Sequence, residues 1–316
     1  MKLYIGVDLG GTNIGAGIVD EEGSILVKDE VPTGSSRPYD EIIKDMADLI
    51  GEILKQGGYE LSDVESIGIG SPGCIDNEQG EVVFANNLNW KHVPVREELQ
   101  RHIDLPIYLE NDANVAGLAE AVTGACKGVE NSVTITLGTG VGSGIIIGGR
   151  PYSGSHGVGA ELGHMIVRVD GVPCTCGNRG CFERYTSATA LIREGKKVAK
   201  ANPDSIIAKS VEGDLDKISA KTVIDAAKAG DEVALEVFDN YIYYLAMGIV
   251  TIINSFDPSI IAIGGGVSRA GDFLLDSLKE QVKEHIFYKD MPYADIRLSE
   301  LGNDAGIIGA AMLGRL

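Results

Sequence analysis

Residues 3–20, LYIGVDLGGTNIGAGIVD, carry the pattern that decides the fold. Two apolar runs flank the turn Gly10-Gly11-Thr12-Asn13, which we call the first loop, and a third run follows the turn signal Glu22-Gly23. Short β-type runs separated by glycine-rich turns predict three antiparallel strands. The first loop therefore joins a strand to a strand, unlike the strand-to-helix loops of the familiar phosphate-binding motifs.

The same pattern returns in the middle of the chain, in residues 132–147, SVTITLGTGVGSGIII. An apolar strand leads into a glycine-rich turn at residues 138–144, the second loop, and a further strand is predicted from Ile145. We interpret the two hairpins as an internal duplication. The chain is therefore expected to form two α/β halves that face each other across a cleft.

Apolar periodicity places further elements around the hairpins. Predicted helices cover residues 39–56, 94–102, 111–125, 188–201, 220–229, 231–256 and 272–287, and predicted strands cover residues 64–70, 106–110, 260–263 and 295–298. A length of 316 residues suggests about two domains. We expect a small α/β domain of residues 1–118, on which the helix near 303–316 packs back, and a large α/β domain of residues 119–302.

Composition excludes several classes of partner. The chain has 46 Asp and Glu against 27 Lys and Arg, a net charge of −19. Nucleic acids and anionic membranes attract basic surfaces, so we expect neither as a partner. The longest apolar stretch, residues 241–256, is shorter than the roughly 20 residues of a membrane span and fits a core helix. Asp8 interrupts the N-terminal apolar run, which lacks a signal-peptide layout, and we expect a cytoplasmic protein.

A turn between two strands can still bind phosphate. Successive amides of a glycine-rich loop can point inward around an anion, and a threonine hydroxyl adds a hydrogen bond. Two such loops could hold the polyphosphate tail of a nucleotide, with Asp8 placed to hold Mg²⁺ through water. The alternative at this point is that both loops are only tight turns.

A group of soft ligands stands further along the chain. It has the spacing H-x9-C-x-C-x4-C and consists of His164, Cys174, Cys176 and Cys181. Four such ligands suit a tetrahedral Zn²⁺, and because the protein fills all four positions the metal would be structural. The alternative is a set of free thiols with a coincidental histidine. Cys74 and Cys126, outside this group, are expected to be packing thiols.

Three carboxylates lie near these motifs. Glu161 precedes His164 by three residues and Glu183 follows Cys181 by two, so a bound metal would fix both in space. Rigid carboxylates can each accept hydrogen bonds from two sugar hydroxyls, although both could instead be solvated surface residues. Asp112 begins a predicted helix where an apolar strand ends, and it could act as a general base in phosphoryl transfer or merely cap the helix.

Four segments together carry a resemblance to a known family. They are Asp8-Leu9-Gly10-Gly11-Thr12, Glu110-Asn111-Asp112-Ala113-Asn114, Leu137-Gly138-Thr139-Gly140-Val141-Gly142, and Gly159-Ala160-Glu161-Leu162-Gly163-His164 followed by residues 174–183. Nearly end to end, the sequence resembles the ROK family (repressor, open reading frame, kinase), and within it the bacterial glucokinases. The last segment is highly specific, whereas the Gly-Thr loops are shared by the wider superfamily of actin, hexokinase and Hsp70.

The resemblance implies a two-domain actin-like α/β fold (ribonuclease H-like) with an interdomain cleft, and ATP, Mg²⁺ and Zn²⁺ as cofactors. Asp112 would be the base that takes the proton from the sugar 6-hydroxyl. The implied sugar contacts are Gly73, Asn87, Asn111, Asp112, Glu161, His164 and Glu183, with His164 on zinc through its other nitrogen. The implied nucleotide contacts are Asp8, Gly10, Gly11, Thr12, Asn13, Gly138, Thr139, Gly140, Gly142, Gly265 and Gly266.

The activity implied by the resemblance is ATP-dependent phosphorylation of glucose to glucose 6-phosphate in carbohydrate metabolism (glycolysis), by a homodimer or homotetramer. Family kinases that act on fructose, mannose or N-acetylmannosamine are alternatives, because pocket contacts decide the hexose. A sugar-sensing repressor is a remote alternative: the first loop follows residue 8, leaving no room for a preceding DNA-binding module, and the charge is −19. A non-catalytic sugar- or zinc-binding module is a further alternative, but the presence of both Asp8 and Asp112 favours an enzyme.

Overall fold

The structure, a computed structural model, describes all of residues 1–316. The chain divides into two compact units, each assembled from separate pieces of sequence. Unit 1 consists of Met1–Thr134, Gly144–Ala160 and Glu300–Leu316, and unit 2 consists of Ile135–Ser143 and Glu161–Ser299. The domain division expected near residue 118 stays a prediction.

Unit 1 is built on a five-stranded sheet. Its strands are β1 (Leu3–Leu9), β2 (Asn13–Asp20), β3 (Ile25–Pro32), β4 (Val64–Ser71) and β8 (Ile107–Asn111). Their order is β3-β2-β1-β4-β8. The first three strands run antiparallel, as predicted, whereas β4 pairs in parallel with β1 and β8 in parallel with β4.

Alternation along β1 explains how helices cover both faces of this sheet. Ile5 and Val7 join the apolar core that contains helix α1 (Tyr39–Gly57), whereas Tyr4 joins the core that contains helix α10 (Ala305–Met312). Successive side chains of a strand point to opposite faces, so the two cores lie on opposite sides of the sheet. The helix predicted over residues 39–56 is confirmed.

Glycines let α10 lie directly on the strands. A Cβ at Gly6 would come within 1.9 Å of the Ile307 carbonyl oxygen, and one at Gly68 within 1.7 Å of the Ala310 carbonyl oxygen. No other residue fits at such a distance without moving the helix. These two positions fix the C-terminal helix against β1 and β4 in unit 1.

Two short helices and a small sheet complete unit 1. The helices are α2 (Val95–Gln100) and α3 (Asp112–Val122), and the antiparallel strands are β5 (Cys74–Asp76), β6 (Glu81–Ala85) and β7 (Trp90–Val93). These three strands were not predicted, because runs of three to five residues are too short for apolar alternation to stand out.

A second five-stranded sheet repeats the order of the first. Its strands are β9 (Ser132–Leu137), β10 (Val141–Ile147), β11 (Arg150–Pro151), β12 (Ile260–Gly264) and β13 (Asp295–Leu298), in the order β11-β10-β9-β12-β13. Counted from its own hairpin, each sheet has the order third, second, first, fourth, fifth. The repeated topology supports the internal duplication.

The second hairpin differs from its prediction in one respect. Strand β10 begins at Val141 rather than Ile145, so the second loop contains only residues 138–140. Gly144 lies within the strand because another backbone segment crosses there: a Cβ on it would lie 2.5 Å from the Ala113 carbonyl oxygen. Gly144, predicted as a turn residue, therefore serves close packing.

Unit 2 is mainly helical outside its strands. The helices are α4 (Glu183–Thr186), α5 (Ala188–Ala201), α6 (Ile206–Ser210), α7 (Ala220–Lys228), α8 (Glu232–Phe256) and α9 (Asp272–His285). They confirm the four helices predicted after residue 188. By length and composition α8 could cross a membrane, yet 56% of its most apolar window is buried inside the protein, as in a core helix.

Candidate functional site

The first loop closes the β1–β2 hairpin and turns its carbonyl groups toward the protein. Buried Thr33 donates its N–H to the Thr12 carbonyl (2.8 Å) and its hydroxyl to the Gly10 carbonyl (2.6 Å). The Gly10 N–H donates to the Asn13 carbonyl (2.9 Å). Because Thr12 and Asn13 are themselves exposed, the loop can offer hydrogen-bond donors to an anion while its acceptors are engaged.

Asp8 and Asp112 form an acidic pair beside this loop. Burial, with a contribution from the negative charge of Asp112, raises the pKa of Asp8 to about 6. Asp8 also faces the first turn of α10, where a Cβ on Gly306 would lie 2.4 Å from its Oδ2. Two neighbouring carboxylates favour a hard cation that binds oxygen, and their chemistry therefore fits Mg²⁺.

Asn111, and not Asp112, caps helix α3. The Asn111 Oδ1 accepts the N–H groups of Ala113 (2.9 Å) and Asn114 (3.3 Å), and its Nδ2 donates to the Gly73 carbonyl (3.1 Å). The alternative in which Asp112 serves as the cap is therefore wrong. Asp112 occupies the first helical position, where its Oδ1 accepts the Ala113 N–H (2.8 Å).

The environment of Asp112 suits a general base. Protein atoms crowd its carboxyl group although the residue keeps exposed surface, and this desolvation raises its pKa above the usual value. Hydrogen bonds from the Ala113 N–H and the Asn111 side chain oppose the shift. A carboxylate that reaches solvent and has a raised pKa accepts a proton more readily near neutral pH.

The remaining predicted residues of unit 1 lie at the same end of the sheet. Asn87 is exposed in a short turn next to the first loop, where a Cβ on Gly11 would lie 3.2 Å from the Asn87 carbonyl oxygen. Gly73 has a φ of +96°, and a Cβ on it would lie 2.0 Å from the Phe84 carbonyl oxygen. Gly73 follows the carboxyl end of β4, and Asn87 lies next to the loop that follows β1. The carboxyl ends of strands are where ligands collect in α/β sheets.

In unit 2, Glu183 supports the second loop. Its Oε2 accepts the N–H of Val141 (3.1 Å), and a Cβ on Gly140 would lie 2.4 Å from the same oxygen. The residue predicted as a sugar contact is thus also in contact with the predicted phosphate loop. This second contact joins residues 42 positions apart and has no local sequence signal.

Helix α5 engages the carbonyl groups of the second loop. The Ala188 N–H donates to the Gly138 carbonyl (2.8 Å), and the Thr189 hydroxyl donates to the Thr139 carbonyl (2.7 Å). A Cβ on Gly138 would meet no atom closer than 4.0 Å. The loop therefore has its acceptors engaged and one open side, as an anion site requires.

The glycine turn at residues 264–266 lies beside the second loop. Gly265 has a φ of +83°, and a Cβ on it would lie 2.6 Å from backbone atoms of Leu137. Gly266 has no atom within 4 Å of an added Cβ. Of the glycines assigned to the nucleotide by resemblance, Gly265 therefore lies next to the second loop within unit 2.

The predicted metal ligands converge on one point. The donor atoms of His164, Cys174, Cys176 and Cys181 all lie within 4.8 Å of one another. The Cys174 Sγ is 3.7 Å from the His164 Nδ1, and the Cys176 Sγ is 3.6 Å from the Cys181 Sγ. Two sulfurs bound to one tetrahedral zinc at about 2.3 Å are separated by about 3.8 Å, so the donor set fits Zn²⁺. The His164 Nδ1 faces the cysteines, and Nε2 is the nitrogen left for another ligand.

The thiols of this group have unequal surroundings. Burial, followed by the neighbouring cysteines, raises the pKa of Cys181 to about 12, whereas a backbone hydrogen bond from Asn178 lowers the pKa of exposed Cys176. The group is fixed to β10: a Cβ on Gly163 would lie 2.3 Å from the Val141 carbonyl oxygen. The His164 N–H in turn donates to the Glu161 carbonyl (3.0 Å).

The predicted site residues thus form two sets. Unit 1 contains Asp8, Gly10, Gly11, Thr12, Asn13, Gly73, Asn87, Asn111 and Asp112, and unit 2 contains Gly138, Thr139, Gly140, Gly142, Glu161, His164, Cys174, Cys176, Cys181, Glu183, Gly265 and Gly266. Glu110, a buried carboxylate next to Asn111, had no predicted role. The only feature of the sequence that could have indicated a role for Glu110 is its position as an acidic residue at the end of an apolar strand.

Comparison with known proteins agrees with this arrangement. The sequence pattern of the ROK family matches residues 4–315. Glucokinase from Thermotoga maritima is 40% identical over 313 residues, which cover 98% of this chain and 96% of that protein. The xylose repressor of Bacillus subtilis is 30% identical over 310 residues, 98% of this chain and 76% of the repressor. A ROK family glucokinase from Streptomyces griseus, solved with glucose and AMPPNP, superposes with a TM-score of 0.82 at 38% identity and 99% coverage of both chains.

Proposed function

Since the chain belongs to the ROK family, we propose that it transfers the γ-phosphoryl group of ATP to the 6-hydroxyl of glucose. Similarity to glucokinases over nearly the whole length supports this activity. The observation that carries the proposal is the acidic pair: Asp112, with its raised pKa, lies beside Asp8 near the carboxyl ends of β8 and β1. The two carboxylates supply the base and the cation ligand that phosphoryl transfer needs.

Asp112 acts as the general base. It accepts the proton of the 6-hydroxyl while that oxygen attacks the γ-phosphorus, and the bond between the γ-phosphorus and the bridging oxygen of ADP breaks. Asn111 fixes the first turn of α3 and so the position of Asp112. Contacts to the other sugar hydroxyls are assigned, on the resemblance, to Gly73, Asn87 and Asn111 in unit 1 and to Glu161, His164 and Glu183 in unit 2.

The nucleotide is assigned to the two glycine loops. Their N–H groups and threonine hydroxyls bind the phosphate oxygens. Asp8 would hold Mg²⁺, which would supply positive charge near the transferred group. Gly265 packs against the backbone of Leu137 and Gly266 leaves open space beside the second loop, and we assign both to the adenosine side.

Zinc would be held by His164, Cys174, Cys176 and Cys181. Because the protein would fill all four positions, the metal would supply structural order rather than an activated water. It would fix the orientation of the His164 ring and the start of α4, where Glu183 lies.

Two other functions within the family compete with this proposal. A kinase for fructose, mannose or N-acetylmannosamine would use the same base and loops and differ only in sugar contacts. A sugar-responsive repressor is favoured by the similarity to the xylose repressor. The net charge of −19 favours the kinase, because DNA phosphates require a basic surface.

A coupled assay of ADP release across hexoses tests the proposal. With ATP and Mg²⁺, glucose should give a higher kcat/KM than fructose, mannose or N-acetylmannosamine. A higher kcat/KM for another hexose would make that hexose the preferred substrate. Binding of a hexose without any turnover would indicate a sugar sensor rather than an enzyme.

We further propose a cytoplasmic enzyme of carbohydrate metabolism that assembles as a homodimer or homotetramer. The assembly follows the family resemblance and is measured by light scattering after size-exclusion chromatography. A monomer at micromolar concentration would contradict it.

A further inference from the structure

Glu110 is a buried carboxylate with four hydrogen-bond donors around it. The residue is only 4% exposed. Its Oε1 accepts the Asn111 N–H (2.8 Å) and the Asn114 Nδ2 (2.9 Å), and its Oε2 accepts the Asn77 Nδ2 (2.7 Å) and the Ser153 hydroxyl (2.8 Å). All four donors are uncharged. A buried carboxyl group is costly unless its oxygens are hydrogen-bonded, and here donors from three chain segments satisfy both oxygens.

The nearby cation serves a different purpose. Arg96 of α2 donates to the carbonyl groups of Asn77 (2.8 Å), Glu78 (2.8 Å) and Ile107 (2.9 Å). Asn77 is therefore held by its backbone through Arg96 and by its side chain through Glu110. The carboxylate acts as a junction between segments and not as half of an ion pair.

Two adjacent residues of β8 hold the two ends of strand β5. Asn111 donates to the carbonyl of Gly73, immediately before β5, and Glu110 accepts from Asn77, immediately after it. Ser153 adds a third segment to the same carboxylate. The turn at Gly73 and the start of α3 are thereby fixed to one another.

We propose that Glu110 is a positioning residue for phosphoryl transfer, which holds Asp112 in register with the sugar-facing turn at Gly73. The inference rests on the proposed kinase function. Glu110 touches neither substrate in this proposal and acts through the Asn111 N–H, which lies one residue before the base. A shift of about 1 Å in a catalytic group can cost on the order of a hundredfold in rate, so the position of this segment controls turnover.

Two substitutions at Glu110 separate hydrogen bonding from charge. In Glu110→Gln, the amide oxygen can still accept the Asn111 N–H, and the amide nitrogen can donate to the Ser153 oxygen and to a rotated Asn77 amide. In Glu110→Ala, the Asn111 N–H loses its partner. We expect Glu110→Ala to lower kcat about ten- to a hundredfold and Glu110→Gln to restore it to within about threefold of wild type.

A double-mutant cycle with Asp112→Asn provides the decisive test. Glu110→Ala should lower kcat strongly in the wild-type background and by less than about twofold in the Asp112→Asn background, because the base it positions is already gone. A loss of folded protein alone would reduce both backgrounds by the same factor. Glu78→Ala, which removes an exposed carboxylate of the same segment, is the matched control and should leave kcat unchanged.

Equal losses in the two backgrounds, or an unchanged kcat in Glu110→Ala, would overturn the inference. If Glu110→Ala does not fold, as judged by thermal melting, Ser153→Ala takes its place in the cycle with an expected loss of about three- to tenfold. Absence of hexose kinase activity in the wild-type protein would instead refute the proposed function, so the two failures are distinguished by the first measurement.

Discussion

The two glycine hairpins share a topology but obtain their carboxylates differently. Asp8 belongs to strand β1 itself, one residue before the Leu9-Gly10 pair. At the equivalent position before Leu137, the second hairpin has Thr136, and Glu183 reaches its loop from helix α4 instead. The duplicated backbone is therefore common to both, while the acidic group is encoded in the strand in one hairpin and supplied by tertiary contact in the other.

This difference suggests a division of labour. The first hairpin stands in an acidic environment with Asp8 and Asp112, which suits a cation and a proton acceptor. The second stands beside an open glycine turn and the metal-ligand group, which suits a nucleotide and the ordering of sugar contacts. Four experiments, from the largest expected effect to the smallest, test whether the hairpins are specialised in this way.

Asp112→Asn tests the acidic region beside the first hairpin. Loss of a general base should lower kcat by roughly 10²–10⁴, whereas the amide retains most of the shape and glucose should still bind. Steady-state kinetics and calorimetric titration with glucose measure the two effects. An unchanged kcat would show that Asp112 is not the general base. If the variant no longer binds glucose in the calorimetric titration, Asp112 would be chiefly a sugar contact.

Cys176→Ala tests the metal group beside the second hairpin. Removal of one zinc ligand should reduce bound zinc well below one equivalent and raise the KM for glucose about ten- to a hundredfold, because His164 and Glu183 lose their support. Metal analysis and kinetics on the same preparation provide both values. Cys126→Ala, outside the group, is the control and should retain zinc. Native protein without zinc would contradict the assignment.

Asp8→Asn tests the cost of the buried carboxylate in β1. The folded pKa of about 6 lies above the ordinary value of 3.8, so ionised Asp8 destabilises the ligand-free fold. The contribution of the Asp8 carboxyl group to the free energy of unfolding is largest below about pH 4, and it is lost as the pH rises through about 6. Asp8→Asn should therefore be more stable than wild type at pH 7.5 by about 1–3 kcal/mol, with a smaller difference at pH 4.5.

Urea unfolding at the two pH values measures this stability difference. Exposed Asp104→Asn is the control and should show no such pH-dependent gain. The same Asp8→Asn protein should lose most of its Mg²⁺-dependent activity. A variant that is less stable than wild type at pH 7.5 would show that Asp8 is stabilised by its surroundings rather than strained by them.

A pair of alanine substitutions compares the loops directly. A Cβ on Gly138 meets no protein atom within 4.0 Å, so Gly138→Ala should keep its melting temperature and raise the KM for ATP about three- to tenfold by crowding the phosphates. A Cβ on Gly10 would lie 2.9 Å from the Asn13 carbonyl oxygen, so Gly10→Ala should also lower the melting temperature. An unchanged KM for ATP in Gly138→Ala would argue against phosphate binding at the second loop.

Local patterns account for the parts of the site that were predicted correctly. The three-strand start, the helix at α1 and the convergence of the four metal ligands follow from spacings of a few residues or a compact run. The assignment of sugar and nucleotide contacts came from the family resemblance and stays a prediction until the substitutions are made.

Other features had no local signal. Strand β10 begins four residues earlier than predicted because Gly144 packs against Ala113, a contact that glycine-rich sequence does not distinguish from a turn. The capping of α3 by Asn111 rather than Asp112 depended on one residue of register, which the sequence leaves open.

The sequence by itself determined the repeated hairpins, the metal-binding set and the position of an aspartate at the end of a strand, because each is written in neighbouring residues. Only the tertiary structure decided which groups meet: Glu183 contacts Val141 across 42 residues, and Glu110 contacts Ser153 across 43. Such pairs form when sheets and helices pack to bury apolar surface, and the polar groups brought together must then satisfy one another's hydrogen bonds. No short stretch of sequence encodes that choice of partner.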